Sequence, residues 1–571
     1  LQQVRGYYSV PTTLDVDRYK LPGDDTPQDT IIAARELDLN GLQSSQRNWA
    51  NDHTVYTHGY GIIAARGNQR GENGEPVFTA KDIPQAGEIT TKVPPRIYFG
   101  EKSPSYSIVG RPKGAEPIEV DIPRSGAAGE GGGKASVTQN TYDGKGGVPV
   151  GGLFNKMLYA FKFAEPNIVL SSRVNSDSKI LYDREPRDRV KKVAPWLTVD
   201  GDSYPAVVDG RVVWIVDGYT TSNSYPYSQH RSLREATADT LTNGESQAAL
   251  PTDQVNYMRN SVKAVVDAYD GSVKLYEWDT KDPVLKTWKK VFPGVVEPKS
   301  SIDQGLLEHL RYPVDLFKVQ RDVLQRYHVT DAQAFYNDDQ RWKVPEDPTV
   351  SGSSTALQPP YYLSTATPGE DSPKFSLTSV YLPNKRQNLA AFVSVNSEAT
   401  DTDDYGKMQI LQLSSGSQVD GPSQIANQLQ TDNGVTQALL PFKQAGTDIQ
   451  YGNLLTLPVG GGLLYVQPVY IKRQAAEGTY PQLQYVLASF GDSVGFGNTL
   501  DEALRVALGL EEGTTDTDPG AGTGTPPATG TPTGDQTASQ LLDQASEYYE
   551  QAQKALKDGD LALYQQRMDQ V

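Results

Sequence analysis

The chain has 571 residues, 37% hydrophobic and 22% charged, and a formal net charge of −17. Such an acidic surface repels phosphate backbones and anionic lipid heads, which sets nucleic-acid binding aside. The absence of cysteine excludes disulfides, thiolate metal sites and cysteine nucleophiles.

No apolar run approaches the roughly 20 residues that span a bilayer. The chain starts at Leu1 rather than Met, and it reads as an excised soluble part of something larger. Tyr outnumbers Phe, 32 to 13, and there are 52 Gly and 38 Pro. That mix favours strands and turns over a helical bundle.

In chain order, residues 1–30 read as extended, with breaks at Pro11 and Pro22. Two strand patterns follow, IIAAREL and TVYTHGYGIIAAR, separated by a short helix and a turn. Residues 124–147 are Gly-rich and predict a mobile loop. Leu153, Met157, Leu158 and Phe161 then recur at helical spacing.

Residues 192–228 carry the strongest pattern. Two β-rich runs flank Asp209-Gly210, and a type I′ turn needs positive φ at both central residues. The second run, Val212 to Val216, is apolar on both faces and predicts a central strand. Asp270-Gly271 predicts a second hairpin.

Residues 301–344 predict a helical insertion. Ser301 is a candidate N-cap, Leu316, Val319, Val323, Leu324 and Tyr327 form one stripe, and Asp331 caps a third helix. Residues 345–374 read as a loop and a possible division point. Strands return beyond it, with a turn at Gly460-Gly461-Gly462. Thr499 and Glu502 have capping-box spacing before a final helix.

The expected fold is therefore α+β: a sheet-rich mixed domain over residues 1–510, with antiparallel hairpins and a central helical insertion. A disordered Gly/Pro/Thr linker over 511–535 and a helical hairpin over 536–571 follow.

Few constellations suggest chemistry. Gly491-Asp492-Ser493-Val494-Gly495 matches a nucleophile elbow, but no His follows His328, so a strand-to-turn exit is the better reading. His53 and His58 fall on opposite faces of a strand-like run, and the other three His are scattered. Gly59-Tyr60-Gly61 is half a dinucleotide fingerprint that no helix follows. Asp200 and Asp202, and separately Asp401, Asp403 and Asp404, are acidic clusters of the kind that calcium takes, though neither has EF-hand spacing. Calcium at Asp200 and Asp202 is the only cofactor expectation. Tyr219, Tyr225 and Tyr227, on the rim after the hairpin, are candidate binding residues, and Tyr361 and Tyr362 are similar loop aromatics.

Several long strings carry a resemblance. They include QQVRGYYSVPTTLDVDRY, RNWANDHTVYTHGYGIIAARGN, the run from Ser178 to Gln229, HLRYPVDLFKVQRDVLQRYHVTD and YGNLLTLPVGGGLLYVQPVY. With these the chain resembles the large, uncharacterised actinobacterial membrane proteins that have seven predicted N-terminal transmembrane helices and a long exported domain. The resemblance implies membrane helices upstream of Leu1 and an extracytoplasmic location at the cell membrane. It implies no catalytic residues. The leading expectation is a binding, scaffolding or chaperone-like domain rather than an enzyme. Its partner would be an envelope protein or a lipid or glycan component, with self-association a further expectation. The alternative is an enzyme on envelope lipid or glycan. It would use acidic residues around Asp200, Asp202 and Asp217, and would need a carboxylate pair about 5–9.5 Å apart in a cleft.

Overall fold

The computed structural model describes residues 8–510, apart from 11–13, 123–137, 242–252, 351–355, 371, 415, 417, 445–446 and 474–480, together with Gln551 and Lys554. The chain divides into two compact units, Leu1–Glu511 and Glu512–Val571. Apart from Gln551 and Lys554, the expected linker and helical tail lie outside the described residues, as does most of the Gly-rich stretch. No described helix is long and apolar enough to cross a membrane.

The described part is α+β and sheet-rich. Its centre is a five-stranded sheet of β1 (Thr198–Val208), β2 (Arg211–Ser222), β3 (Tyr257–Asp267), β4 (Val273–Glu277) and β5 (Val296–Glu297), in that order. All pairs are antiparallel except β4 with β5. Asp209 at φ 52° and Gly210 at φ 80° close β1 onto β2 with Val208 opposite Arg211, so the two-residue turn forms as its residues dictate. At Asp270-Gly271 only the Gly has positive φ, and the turn is longer. There the Asp267 carboxylate accepts from the Tyr269 and Asp270 amides and holds a wider loop.

β2 is central and covered on both faces. Val212, Trp214 and Val216 join a core that includes Ile32, Ala34, Ile62 and Ala64 from an N-terminal antiparallel meander. Val213 and Ile215 face the other way, towards Tyr204, Tyr276, Trp278, Leu306 and Leu310. Period-two alternation places each set on its own side. Two further five-stranded sheets follow, one centred on Lys374–Pro383 and Ala391–Asn396, the other on Gly462–Arg473 and Gln482–Phe490.

Two helices matter below. Helix α1 (Leu153–Phe163) is apolar on two sides. Tyr159, Ala160 and Phe163 pack on a small core of Tyr106, Ile108, Val150, Ile168 and Ile180. Helix α2 (Val314–Tyr327) is the centre of the helical insertion, and its burial reverses the simple expectation. Asp315, Phe317, Lys318 and Arg321 are its buried residues. Leu316, Val319, Val323, Leu324 and Tyr327 are only half-buried or exposed. The charged side chains go inward because partners wait there. In the same region Asp303, not Ser301, caps the short helix Gln304–Leu307, since its carboxylate reaches the Leu306 amide. Asp331 and Thr499 cap as expected.

Candidate functional site

The expected site residues separate into two places on either side of α2. Asp200 and Tyr219 are buried in an ionic centre beneath it and Asp202 stands exposed at that centre's edge, whereas Tyr225 and Tyr227 lie in the open.

The centre is built by β-sheet register. Asp217 on β2 stands directly opposite Lys263 on β3, on the same face as Ile215. The Lys263 side chain is fully buried and its ammonium lies 2.5 Å from Asp217. It also donates to the Arg311 carbonyl at 2.6 Å. Burial pushes the Lys263 amine below its ordinary value, and Asp217 opposes that shift. A break in the β1–β2 register between Val199 and Ser203 turns Asp200 and Asp202 towards the start of α2. There the Tyr219 hydroxyl and, at 3.3 Å, the Asp315 amide donate to Asp200. The Gly201 amide donates to Asp315 at 2.8 Å. Burial first, then the carboxylates of Asp315 and Asp217, raise the Asp200 carboxyl well above its ordinary value.

Arg311 closes the cluster. Its guanidinium donates to Asp15 at 2.9 Å and to Asp202 at 3.2 Å, and stacks over Tyr204 at 3.7 Å. Lys318 on α2 pairs with Asp239 at 2.6 Å. The carboxylates thus meet proton donors. Among the described residues no group of three or more His, Asp or Glu has metal-holding geometry. Asp401 and Asp404 are bridged by Lys374, at 3.3 and 2.7 Å.

On the other side of α2 is a groove. Tyr227, held at φ 58° and fully exposed, forms one rim. Ser228, Gln229, Arg231, Asp322, Gln325, Arg326, Tyr327 and Arg341 complete a polar end of about 380 Å³. Arg231 is anchored by Asp322, to which its Nε donates at 2.5 Å. The groove continues into a cavity of about 460 Å³ lined by Met258, Leu316, Val319, Val323, Leu324 and Met408. Ser228, Gln229, Arg231 and Val323 line both ends. Tyr225 stands beside it and stacks on Tyr257 at 5.8 Å. Neither cavity is lined by Asp200, Asp202 or Asp217.

The remaining constellations are structural. Phe490 pairs with Ser493 across a two-residue turn, so the Gly-Asp-Ser-Val-Gly run is a hairpin, and no helix starts before Leu500. His53 lies in a helical turn, Asn51–Val55, not in a strand, and stacks on Tyr106 at 3.9 Å. The buried chain Thr57–His58–Asp121, at 3.0 and 2.8 Å, has the residue types of a catalytic relay. It is a strut: Thr57 and His58 are shut off from solvent, and Arg96 clamps Asp121 with two bonds of 2.8 Å. Tyr362 is half-buried and its hydroxyl donates to the Tyr312 carbonyl.

A family model described as an uncharacterised protein family (UPF0182) matches residues 1–442. The chain belongs to the UPF0182 family. It is similar to UPF0182 proteins of Paenarthrobacter aurescens (50% identical, covering 99% of this chain and 57% of the relative), Leifsonia xyli subsp. xyli (50%, 94% and 53%) and Streptomyces coelicolor (48%, 99% and 54%). The chain spans a little over half the length of these curated relatives. No solved structure matches it.

For this UPF0182 chain, sequence reasoning missed Lys263, Arg311, Asp315 and Lys318 in the centre, and Arg231, Arg326 and Arg341 in the groove. Lys263 left a signal, since a lone charge inside the apolar run Val262 to Val266 wants a buried partner. The groove arginines left none, because strands and helices distant in sequence bring them together.

Proposed function

We propose that the chain is the extracytoplasmic binding or scaffolding domain of an actinobacterial cell-envelope membrane protein, whose membrane helices lie outside these residues. The groove takes an extended segment of another envelope protein. The observation that carries this reading is the groove's two-part chemistry. One end is mostly apolar and lined by two methionines, which adapt to varied side chains. The other end holds Arg326 and Arg341, which share Asp338 at 3.5 Å, and the tyrosines, groups that suit a carboxylate or a peptide backbone. The buried carboxylates are engaged by donors and do not line the groove, which favours binding over acid–base chemistry there.

The test is photo-crosslinking in the native envelope from a reactive amino acid at Tyr227, with and without Val323→Arg. Val323 lines both ends, so the longer side chain fills the middle of the groove. A defined envelope protein captured by the parent and lost in the variant is expected. Capture that Val323→Arg leaves unchanged refutes the groove as the binding site.

A further inference from the structure

Helix α1 presents a second surface that the groove does not explain. Leu153, Phe154, Met157, Leu158 and Phe161 are all exposed, Phe161 by 90% and Phe154 by 68%. At about 100° per residue these five fall within an arc of about 140°. Tyr159, Ala160 and Phe163 occupy the opposite side and pack on the body. Leu170, on the short helix Asn167–Leu170 next to α1, is 77% exposed and adds a sixth apolar side chain. A helix apolar on two sides is normally covered on both. Here the body covers one side only.

We infer that the exposed face of α1 dips into the surface of a lipid bilayer. Two observations select lipid over a second copy of the chain. The first is size. Eleven residues make a helix about 16 Å long and roughly 10 Å across. Paired with another such helix, it buries far less than the roughly 800 Å² per partner of a stable interface. Insertion into head groups has no such minimum area. The second is charge. In a chain of net charge −17, residues 153–173 contain Lys156, Lys162 and Arg173 against the single acid Glu165. Lys162 borders the apolar face and lies over the Tyr182 ring, whereas Lys156 turns to the body with its ammonium on the Val174 carbonyl. Two copies face to face would bring their Lys162 side chains together, whereas a bilayer with anionic lipid attracts that lysine. The acid spread over the rest of the surface is screened beyond about 8 Å at physiological salt. This inference deepens the reading of a membrane-bound protein and is independent of what the groove holds.

The test uses the 571-residue chain and vesicles of phosphatidylethanolamine and phosphatidylglycerol. With no native cysteine, Phe161→Cys gives a single attachment point for an environment-sensitive dye. Vesicles should shift its emission to the blue, with half-binding at roughly millimolar lipid. The same dye at Tyr336→Cys, an 83% exposed position on another helix, should not respond. Flotation of the unlabelled chain should weaken about tenfold or more in Phe154→Glu/Phe161→Glu. Circular dichroism should show both chains equally folded, because the two side chains support no core. No dye response, or flotation equal in both chains, overturns the inference. So does a concentration-dependent dimer that the double variant abolishes without any lipid binding by the parent. Crosslinking from Tyr227 is read separately, so failure of the lipid contact and failure of the groove reading are distinguishable.

Discussion

The Lys263–Asp217 pair offers the sharpest test of the closed centre. In Lys263→Met the aliphatic stem is kept and the ammonium removed. Asp217 then retains one side-chain donor, the Asn260 amide at 2.9 Å. The Arg311 carbonyl loses Lys263 but keeps the Tyr405 hydroxyl at 3.2 Å, so little of the effect arises there. What remains is a buried carboxylate without its counter-charge, a defect that costs about 3–5 kcal/mol. That is a large share of the roughly 5–15 kcal/mol that holds a folded protein together. Lys263→Met/Asp217→Asn removes both charges and keeps the Asn260 contact, and should recover most of the loss. Urea unfolding followed by tryptophan fluorescence reads the transition, because Trp214 lies fully buried in the same sheet. The reasoning is refuted if Lys263→Met is within about 1 kcal/mol of the parent, or if the double variant is no more stable than the single one.

Three further outcomes follow from the same physics. Burial raises Glu36 to about 7, and burial together with Glu36 raises Glu101 to about 8. Both carboxyls bind protons more tightly folded than unfolded, so their stabilising effect is full below the ordinary value near 4.5 and is lost as pH rises through 7 to 8. Glu36→Gln should therefore stabilise the protein at pH 8 by about 3 kcal/mol and by little at pH 4.5, read as denaturation midpoints across pH. Asp282 accepts from the Thr220, Ser261 and Tyr257 hydroxyls and from the Val284 and Leu285 amides, which hold its carboxyl below the ordinary range despite burial. Its contribution is present above about pH 4 and fades as pH falls through the lowered value. Asp282→Ala should cost about 3 kcal/mol at pH 7, and a change under about 1 kcal/mol would contradict the network. Gly210→Ala should lower the melting temperature measurably, since φ is +80° and the new Cβ would meet the Lys92 backbone nitrogen at 2.8 Å. An unchanged melting temperature would show that the turn relaxes.

Local chemistry in the sequence was enough to determine the hairpin at Asp209-Gly210, the two-sided burial of β2, the caps at Asp331 and Thr499, and the sheet-rich α+β class. Each depends on neighbours within a few residues: positive φ at a turn, alternation along a strand, a side chain reaching an amide three positions on. Beyond the lone charge at Lys263, tertiary structure decided how the candidate site is assembled. The signature stretch held Asp200, Asp202 and Tyr219, and the fold locked Asp200 onto Asp315 and Asp202 onto Arg311, more than 100 residues away. Periodicity revealed α1 and α2 as helices and could not say which stripe of either would be covered. For α2 the covered side includes charged residues beside Phe317, because Asp315 and Lys318 meet the Gly201 amide and Asp239 there. For α1 the side that pairs with the body is the smaller one. Helical spacing reports that a face is apolar; only the position of the neighbouring layers determines whether protein, water or lipid lies against it.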